Sequence, residues 1–275
     1  MKKTSKILAV VLVAVLAVAA LAVFAACGKK YTGEVSYESY GHTYGVKVDV
    51  TVKGDIITAV KLYTDEETGW VRTSGPASTW TQEDHDKTEA AYDSYIEENF
   101  VGANVADVLS WSATATAKGQ TVGAGVPHIT GATQSSARII VAVQNALEKI
   151  EGITKTTGEY SYESYGHTYG AKVDVYMRDG KILAVRLYED KETGWVRTTE
   201  SWTEKEGEQL GFAKAEAAYP QYIKDTFVGK TAEEVNAYEA KKDGWTISDS
   251  AKLAGATQSA VRIVLAVQNA LSKIK

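Results

Sequence analysis

The chain repeats itself. Ser36-Tyr-Glu-Ser-Tyr-Gly-His-Thr-Tyr-Gly45 returns as Ser161 to Gly170, and Glu67-Thr-Gly-Trp-Val-Arg-Thr73 returns as Glu192 to Thr198. The copies lie about 125 residues apart, too long for a solenoid repeat and of the size of a domain. A third pair closes each copy. Gly131-Ala132-Thr133-Gln134-Ser135-Ser136 recurs as Gly255-Ala256-Thr257-Gln258-Ser259-Ala260, each running into an apolar stretch. Ile140, Val143, Leu147 and Ile150 make one stripe at helical spacing, and Val264, Val267, Leu271 and Ile274 repeat it. Whatever the first copy folds into, the second should fold into as well.

Within each copy the pattern is that of a sheet followed by helices. Val46, Val48, Val50 and Val52 alternate with Lys47, Asp49 and Thr51, a strand buried on one face. Lys53-Gly54-Asp55 is a tight turn, and Ile56 to Tyr63 is the return strand. Arg178-Asp179-Gly180-Lys181 is the stronger hairpin signal of the second copy. The Tyr-rich segment Val35 to Tyr44 adds a third strand. Helices are expected over Asp84 to Asn99, Val105 to Trp111, Glu206 to Thr226 with Pro220 interrupting it, and Thr231 to Ala240. Thr133 and Thr257 stand at the expected N-caps, where a hydroxyl meets unpaired backbone N–H groups. A helix N-terminus suits a phosphate. The expected fold class is α+β: two tandem homologous domains, residues 31–152 and 153–275, each an antiparallel sheet with helices packed on one side. The linker, Glu151 to Thr157, is short, which places the two close together.

The N-terminus reads differently. Lys2, Lys3 and Lys6 precede an unbroken apolar run from Ile7 to Ala26, which ends in Phe24-Ala25-Ala26-Cys27-Gly28. Small residues before the chain's single Cys resemble a lipobox. Residues 1–26 are then a lipoprotein signal peptide, Cys27 carries the lipid, and 27–30 are a spacer. The other reading is an uncleaved membrane anchor. Both place the body on the outer face of the cytoplasmic membrane, in a Gram-positive-like cell envelope. Losing three lysines takes the formal charge from −5 to −8. An anionic body has no nucleic-acid footprint and stands off an anionic membrane surface. With the one Cys consumed, no disulfide or thiolate metal site is left.

Gly-Ala-Thr-x-Ser before an apolar helix, at the end of a unit of this size, resembles the FMN-binding domain family. That family includes a flavin-carrying component of the sodium-pumping NADH:quinone reductase and the matching component of its ferredoxin:NAD relative. In it, the Thr is esterified to the phosphate of FMN by a flavin transferase. The resemblance implies one FMN on Thr133 and one on Thr257, with Gly131, Ala132, Gln134, Ser135, Ser136, Gly255, Ala256, Gln258 and Ser259 around them. Thr130 keeps the Ser or Thr usual three residues before the modified Thr, and Ala254 does not. Pro127 and Ala251 stand where the family commonly has Asp. Thr68-Gly69-Trp70 and Thr193-Gly194-Trp195 look like the family's mid-domain loop that faces the flavin. The Trp reads equally as a plug for its own core. Arg72 and Arg197 read either as phosphate partners or as surface side chains.

As a whole the chain resembles the flavinylated lipoproteins of Gram-positive extracellular electron transfer. That likeness implies a membrane electron donor, a quinone or an NADH dehydrogenase system, and an extracellular acceptor. No nucleophile elbow, Walker loop or dinucleotide fingerprint is present, and His42 and His167 have no partner at metal-ligand spacing. A carrier fits this better than a catalyst with its own substrate. A flavin-dependent reductase of a small acceptor and a non-redox ligand-binding lipoprotein are the alternatives.

Overall fold

A computed structural model describes residues 28–72, 81–197, 205 and 209–274. The signal segment and Cys27 lie outside these residues. Among the described residues no helix is long and apolar enough to cross a membrane.

The first half opens with an antiparallel meander: β1 (Lys29–Ser39), β2 (His42–Lys53) and β3 (Ile56–Leu62), in the order β1-β2-β3. Val35 faces Val46 and Val48 faces Leu62, with a bulge at Thr51/Val52. The β1–β2 turn holds Tyr40 and Gly41 at φ 48° and 76°, the geometry of a two-residue hairpin loop. Next come α1 (Asp65–Thr68), α2 (Gln82–Asn99), α3 (Val105–Ser110), a small hairpin of β4 (Ala113–Thr116) and β5 (Gly119–Val122), and α4 (Thr133–Leu147). The second half repeats the meander as β6 (Thr154–Ser164), β7 (His167–Arg178) and β8 (Lys181–Leu187). It continues with α5 (Asp190–Thr193), α6 (Phe212–Phe227), α7 (Ala232–Asn236), β9 (Ala240–Lys241), β10 (Thr246–Ile247) and α8 (Thr257–Leu271). The mixed helices and antiparallel sheets make this an α+β structure.

Several boundaries differ from the sequence reading. The β4–β5 hairpin stands where no strand is expected. The helix expected from Glu206 begins, within the described residues, at Phe212, and Pro220 lies inside it without ending it. The helix expected over Thr231 to Ala240 stops at Asn236, and Ala240 belongs to β9. Ile150 and Ile274 fall beyond the helix ends, and Ile274 is 37% exposed. The linker is also shorter than expected, because β6 has begun by Thr154.

The core of each half is the helix stripe against the valine strand. Val46, Val48 and Val50 meet Ile140, Val143 and Leu147, all essentially without exposure. Fully burying each such side chain stabilises by about 1.5–3 kcal/mol. The approach is close at one point. A Cβ built on Gly33 of β1 would stand 2.0 Å from the carbonyl oxygen of Ala142, and one on Gly158 would stand 2.0 Å from that of Ala266. Only a glycine lets the helix backbone lie on the strand there.

Helices therefore cover one face of the first sheet, as expected. The opposite face of the second sheet is also covered, by the first half. Tyr176 and Ala184, both 1% exposed, join the first half's core. The Tyr176 hydroxyl reaches Glu148 at 3.0 Å, and Arg178 grips Asp55 with two hydrogen bonds of 2.6 and 2.7 Å. Ser112 donates to Glu192 at 3.0 Å, and Arg186 donates to the Ala113 carbonyl. Of the matching positions of the first sheet, Ala59 and Lys61 are exposed and Thr51 is half-buried.

Two expectations follow. Gly33→Ala should destabilise by about 3 kcal/mol, because the helix must move off the strand, while Gly119→Ala, with open space around it, should stay within about 0.5 kcal/mol; urea unfolding measures both. The Arg178 guanidinium holds the Asp55 carboxyl below its usual range. A depressed carboxylate stabilises above its unfolded pKa and loses that contribution as pH falls through the folded value. The midpoint difference between the parent chain and Asp55→Asn should hold steady above about pH 5 and shrink below about pH 4.

Candidate functional site

The Gly-Ala-Thr turn is built by a loop folding back on a helix start. Gly131 takes φ 81°, a left-handed value that a side chain disfavours, and nothing lies within 4 Å of where its Cβ would be. The Ala132 N–H donates to the Ile129 carbonyl at 2.9 Å. Ala132, not Thr133, is the N-cap; its φ and ψ are −127° and 42°, and no side chain caps the helix. Thr133 is the first helical residue, half-buried, and the first intrahelical bond runs from the Ser136 N–H to Ala132. The same holds at Ala256 and Thr257. The N-cap expectation is therefore off by one residue. The left-handed glycine swings the chain into the helix one step later, which frees the Thr hydroxyl from the capping role.

The serines serve the chain itself. The Ser136 hydroxyl is wholly buried, accepts from the Ile129 N–H at 2.8 Å and donates to the Ala132 carbonyl at 3.1 Å. The Ser135 hydroxyl donates to the Arg72 carbonyl at 3.4 Å, and the Ser259 hydroxyl to the Arg197 carbonyl at 3.2 Å. These bonds tie the Thr-Gly-Trp loops to the helix starts, so the two motifs meet in each half. Gln134 and Gly131 are exposed, and Gln258 and Gly255 are half-buried. Leu210 accounts for that difference: its N–H donates to the Gly255 carbonyl at 2.9 Å, and it stands where a Cβ on Gly255 would go.

Pro127 and Ala251 are held by the helices beneath them. The Tyr95 hydroxyl donates to the Pro127 carbonyl at 2.9 Å, and the Tyr222 hydroxyl to the Ala251 carbonyl at 2.7 Å. Burial pushes both phenols above their ordinary pKa, so they remain donors at any physiological pH.

In the Thr-Gly-Trp loops, Gly69 and Gly194 end short helices at φ 71° and 70°, and the Thr68 and Thr193 hydroxyls accept from the Trp70 and Trp195 N–H groups at 3.2 and 3.1 Å. Each indole lies on a glycine of the neighbouring strand. A Cβ on Gly45 would come within 2.8 Å of the Trp70 ring, and one on Gly170 within 2.9 Å of the Trp195 ring. The Trp thus packs on the sheet face turned away from the long helix. Arg72 and Arg197 are not surface side chains, and both are paired with carboxylates. Arg72 is paired with Asp65 at 2.8 Å and with Glu89, and Arg197 with Asp190 at 2.6 Å and Glu216 at 3.4 Å.

Sequence reasoning missed the cations buried near the starts of the two long helices. Arg138 is fully buried on α4, donates to the Tyr37 hydroxyl at 3.0 Å and lies 6.0 and 5.8 Å from the Tyr37 and Tyr44 ring centres. Those rings are stacked at 6.0 Å. Arg262 repeats this between Tyr162 and Tyr169 and adds Trp245, 5.3 Å away. The signal was an Arg at the same place in two helices with no other charge. Tyr40, inside the stretch expected as a strand, and its counterpart Tyr165 are instead 94% exposed at hairpin tips.

Residues 40–148 match the FMN-binding domain family. No curated protein and no solved structure matches the chain. The matched segment runs from the β1–β2 hairpin tip to the end of α4, and FMN is its cofactor. The residues present fit that group. The first-turn amides of α4 have no intrahelical acceptor and no side-chain cap, the space beside Gly131 is open, and a buried guanidinium supplies positive charge nearby.

Removing the Ser136 hydroxyl leaves the N–H of half-buried Ile129 without that partner. Ser136→Ala should lower stability by about 1–3 kcal/mol and raise amide hydrogen exchange at Ile129, read by mass spectrometry.

Proposed function

We propose that the chain is a membrane-anchored, extracytoplasmic electron-transfer flavoprotein with two FMN-bearing domains, residues 31–152 and 153–275. FMN is joined to Thr133 by a phosphoester, and a second FMN is joined in the same way to Thr257. The observation that carries this reading is the Thr left uncapped at the start of a buried helix, inside a segment that matches the FMN-binding domain. The repetition of that turn at Ala256–Thr257 supports the second site.

FMN supplies reversible uptake and release of electrons. The chain's own groups hold it and set its surroundings. Gly131 and the amides of Thr133, Gln134 and Ser135 offer a phosphate a partial positive charge. Arg138 keeps a full positive charge buried behind them. Ser135 fixes the Thr-Gly-Trp loop to the same helix turn. An ester keeps the cofactor outside the cell, where one lost by dissociation would not be recovered. A lipid on Cys27 keeps the body on the outer face of the membrane, where it takes electrons from a quinone or NADH dehydrogenase system. A flavin transferase is the partner that loads it.

Intact mass of the full chain coexpressed with a flavin transferase tests this, alongside Thr133→Val, Thr257→Val and the double change. Two FMN masses are expected, each lost with its own Thr. Thr133 should load first, because Gly131 is exposed while Leu210 closes over Gly255. No added mass in any form overturns the covalent reading. In cells, the mature chain should begin at a lipid-bearing Cys27, read by mass spectrometry of its N-terminal peptide, and an N-terminus retaining residues 1–26 with an unmodified Cys27 overturns the lipid anchor.

A further inference from the structure

The two halves enclose a cleft of 760 Å³, within the range of about 300–1,000 Å³ typical of small-molecule sites. One wall is α3 with the loop after β5, and the other is β8 with α6. Neither Thr133 nor Thr257 lines it. Trp111 and Val126 contribute apolar surface from the first half, and Leu183 and Ile223 from the second. A cleft of this size between apolar walls favours an apolar ring over water.

Its charges exclude one large class of ligand. The lining cations are already engaged: Lys224 faces Asp107 at 3.4 Å, and Arg197 is held by Asp190 and Glu216. Glu189 adds another carboxylate, which accepts from the Ala124 N–H at 2.9 Å. Acids outnumber bases, so a phosphate or carboxylate would be repelled. A phosphorylated cofactor does not belong here.

The polar groups suit a neutral partner. Glu216 is half-buried, and burial lifts its carboxyl above the usual range against the pull of Arg197. Pro220, on the same wall, has no N–H to give the Glu216 carbonyl, so one helix acceptor is spare. The carboxyl and the carbonyl together offer hydrogen bonding to the edge of a ring.

We propose that the cleft between the halves binds a neutral, ring-bearing small molecule with a hydroxyl at its edge. The inference uses neither Thr133 nor bound FMN, so it stands apart from the electron-transfer reading.

Calorimetry on the full chain in detergent, with probe partition into empty micelles subtracted, tests it with 2-naphthol and its anionic counterpart 2-naphthoate. The second chain is Ala217→Trp, which fills the cleft from an exposed position of α6. 2-Naphthol should bind the parent chain saturably, and at least about tenfold more weakly in Ala217→Trp. 2-Naphthoate should bind the parent at least about tenfold more weakly than 2-naphthol. Absence of saturable 2-naphthol binding, equal affinity in the filled variant, or equal binding of the two probes would each overturn the proposal. If Ala217→Trp loses the native circular dichroism, Gln221→Trp, also exposed on the cleft side, replaces it under the same criteria.

Discussion

The position of each long helix depends on one contact between backbones. At Gly33 and Gly158 the helix lies directly on the edge of the sheet, with no side chain between them. That fixes its distance and, through the stripe of Ile140, Val143 and Leu147, its rotation. The helix start is fixed with it, and so are the Gly131 turn, Thr133 and the serine bonds that bring the Trp-bearing loop alongside. Small residues in the strand and apolar residues in the helix do remote work at the site: they aim a hydroxyl they never touch.

The same arrangement explains why a large cation is tolerated in the core. Arg138 and Arg262 would be costly to bury in a purely apolar setting. Each lies instead among aromatic faces, and Arg138 donates to the Tyr37 hydroxyl while Arg262 donates to the Arg197 carbonyl. Aromatic rings solvate a guanidinium through their faces without admitting water. Gln144 and Gln268 play a related part, each donating to the last carbonyls of a short helix: Val108 and Trp111 in one half, Val235 and Tyr238 in the other. The polar residues inside these helices are thus the clamps that hold neighbouring segments.

Much of this was legible in the sequence, because it rests on periodicity. The valine alternation of β2, the Asp-Gly turn of the second hairpin and the helix stripe all follow from spacing alone. The β4–β5 hairpin did not, since Ala113 to Thr116 offers only small and polar residues and the hairpin rests against α4. The off-by-one at Thr133 has a local cause: a left-handed glycine displaces the cap, which a hydroxyl-based rule does not detect. Arg138 was visible but unread, being a charge in an apolar run. So was the replacement of Thr51, Thr58 and Lys61 by Tyr176, Leu183 and Arg186 in the second copy, which separates a wet sheet face from a covered one.

That last difference makes the contact between the halves one-directional. The back of the second sheet rests on the front of the first half, and no two-fold axis relates them. A contact of this type, used again, would build an open string rather than a closed pair. Here it is used once. The back of the first sheet carries threonines and a lysine where the next copy would have to dock, and water competes for every one of them. The chain holds a terminator at one end: this joint is closed at the leading half, which has an end that the trailing half lacks.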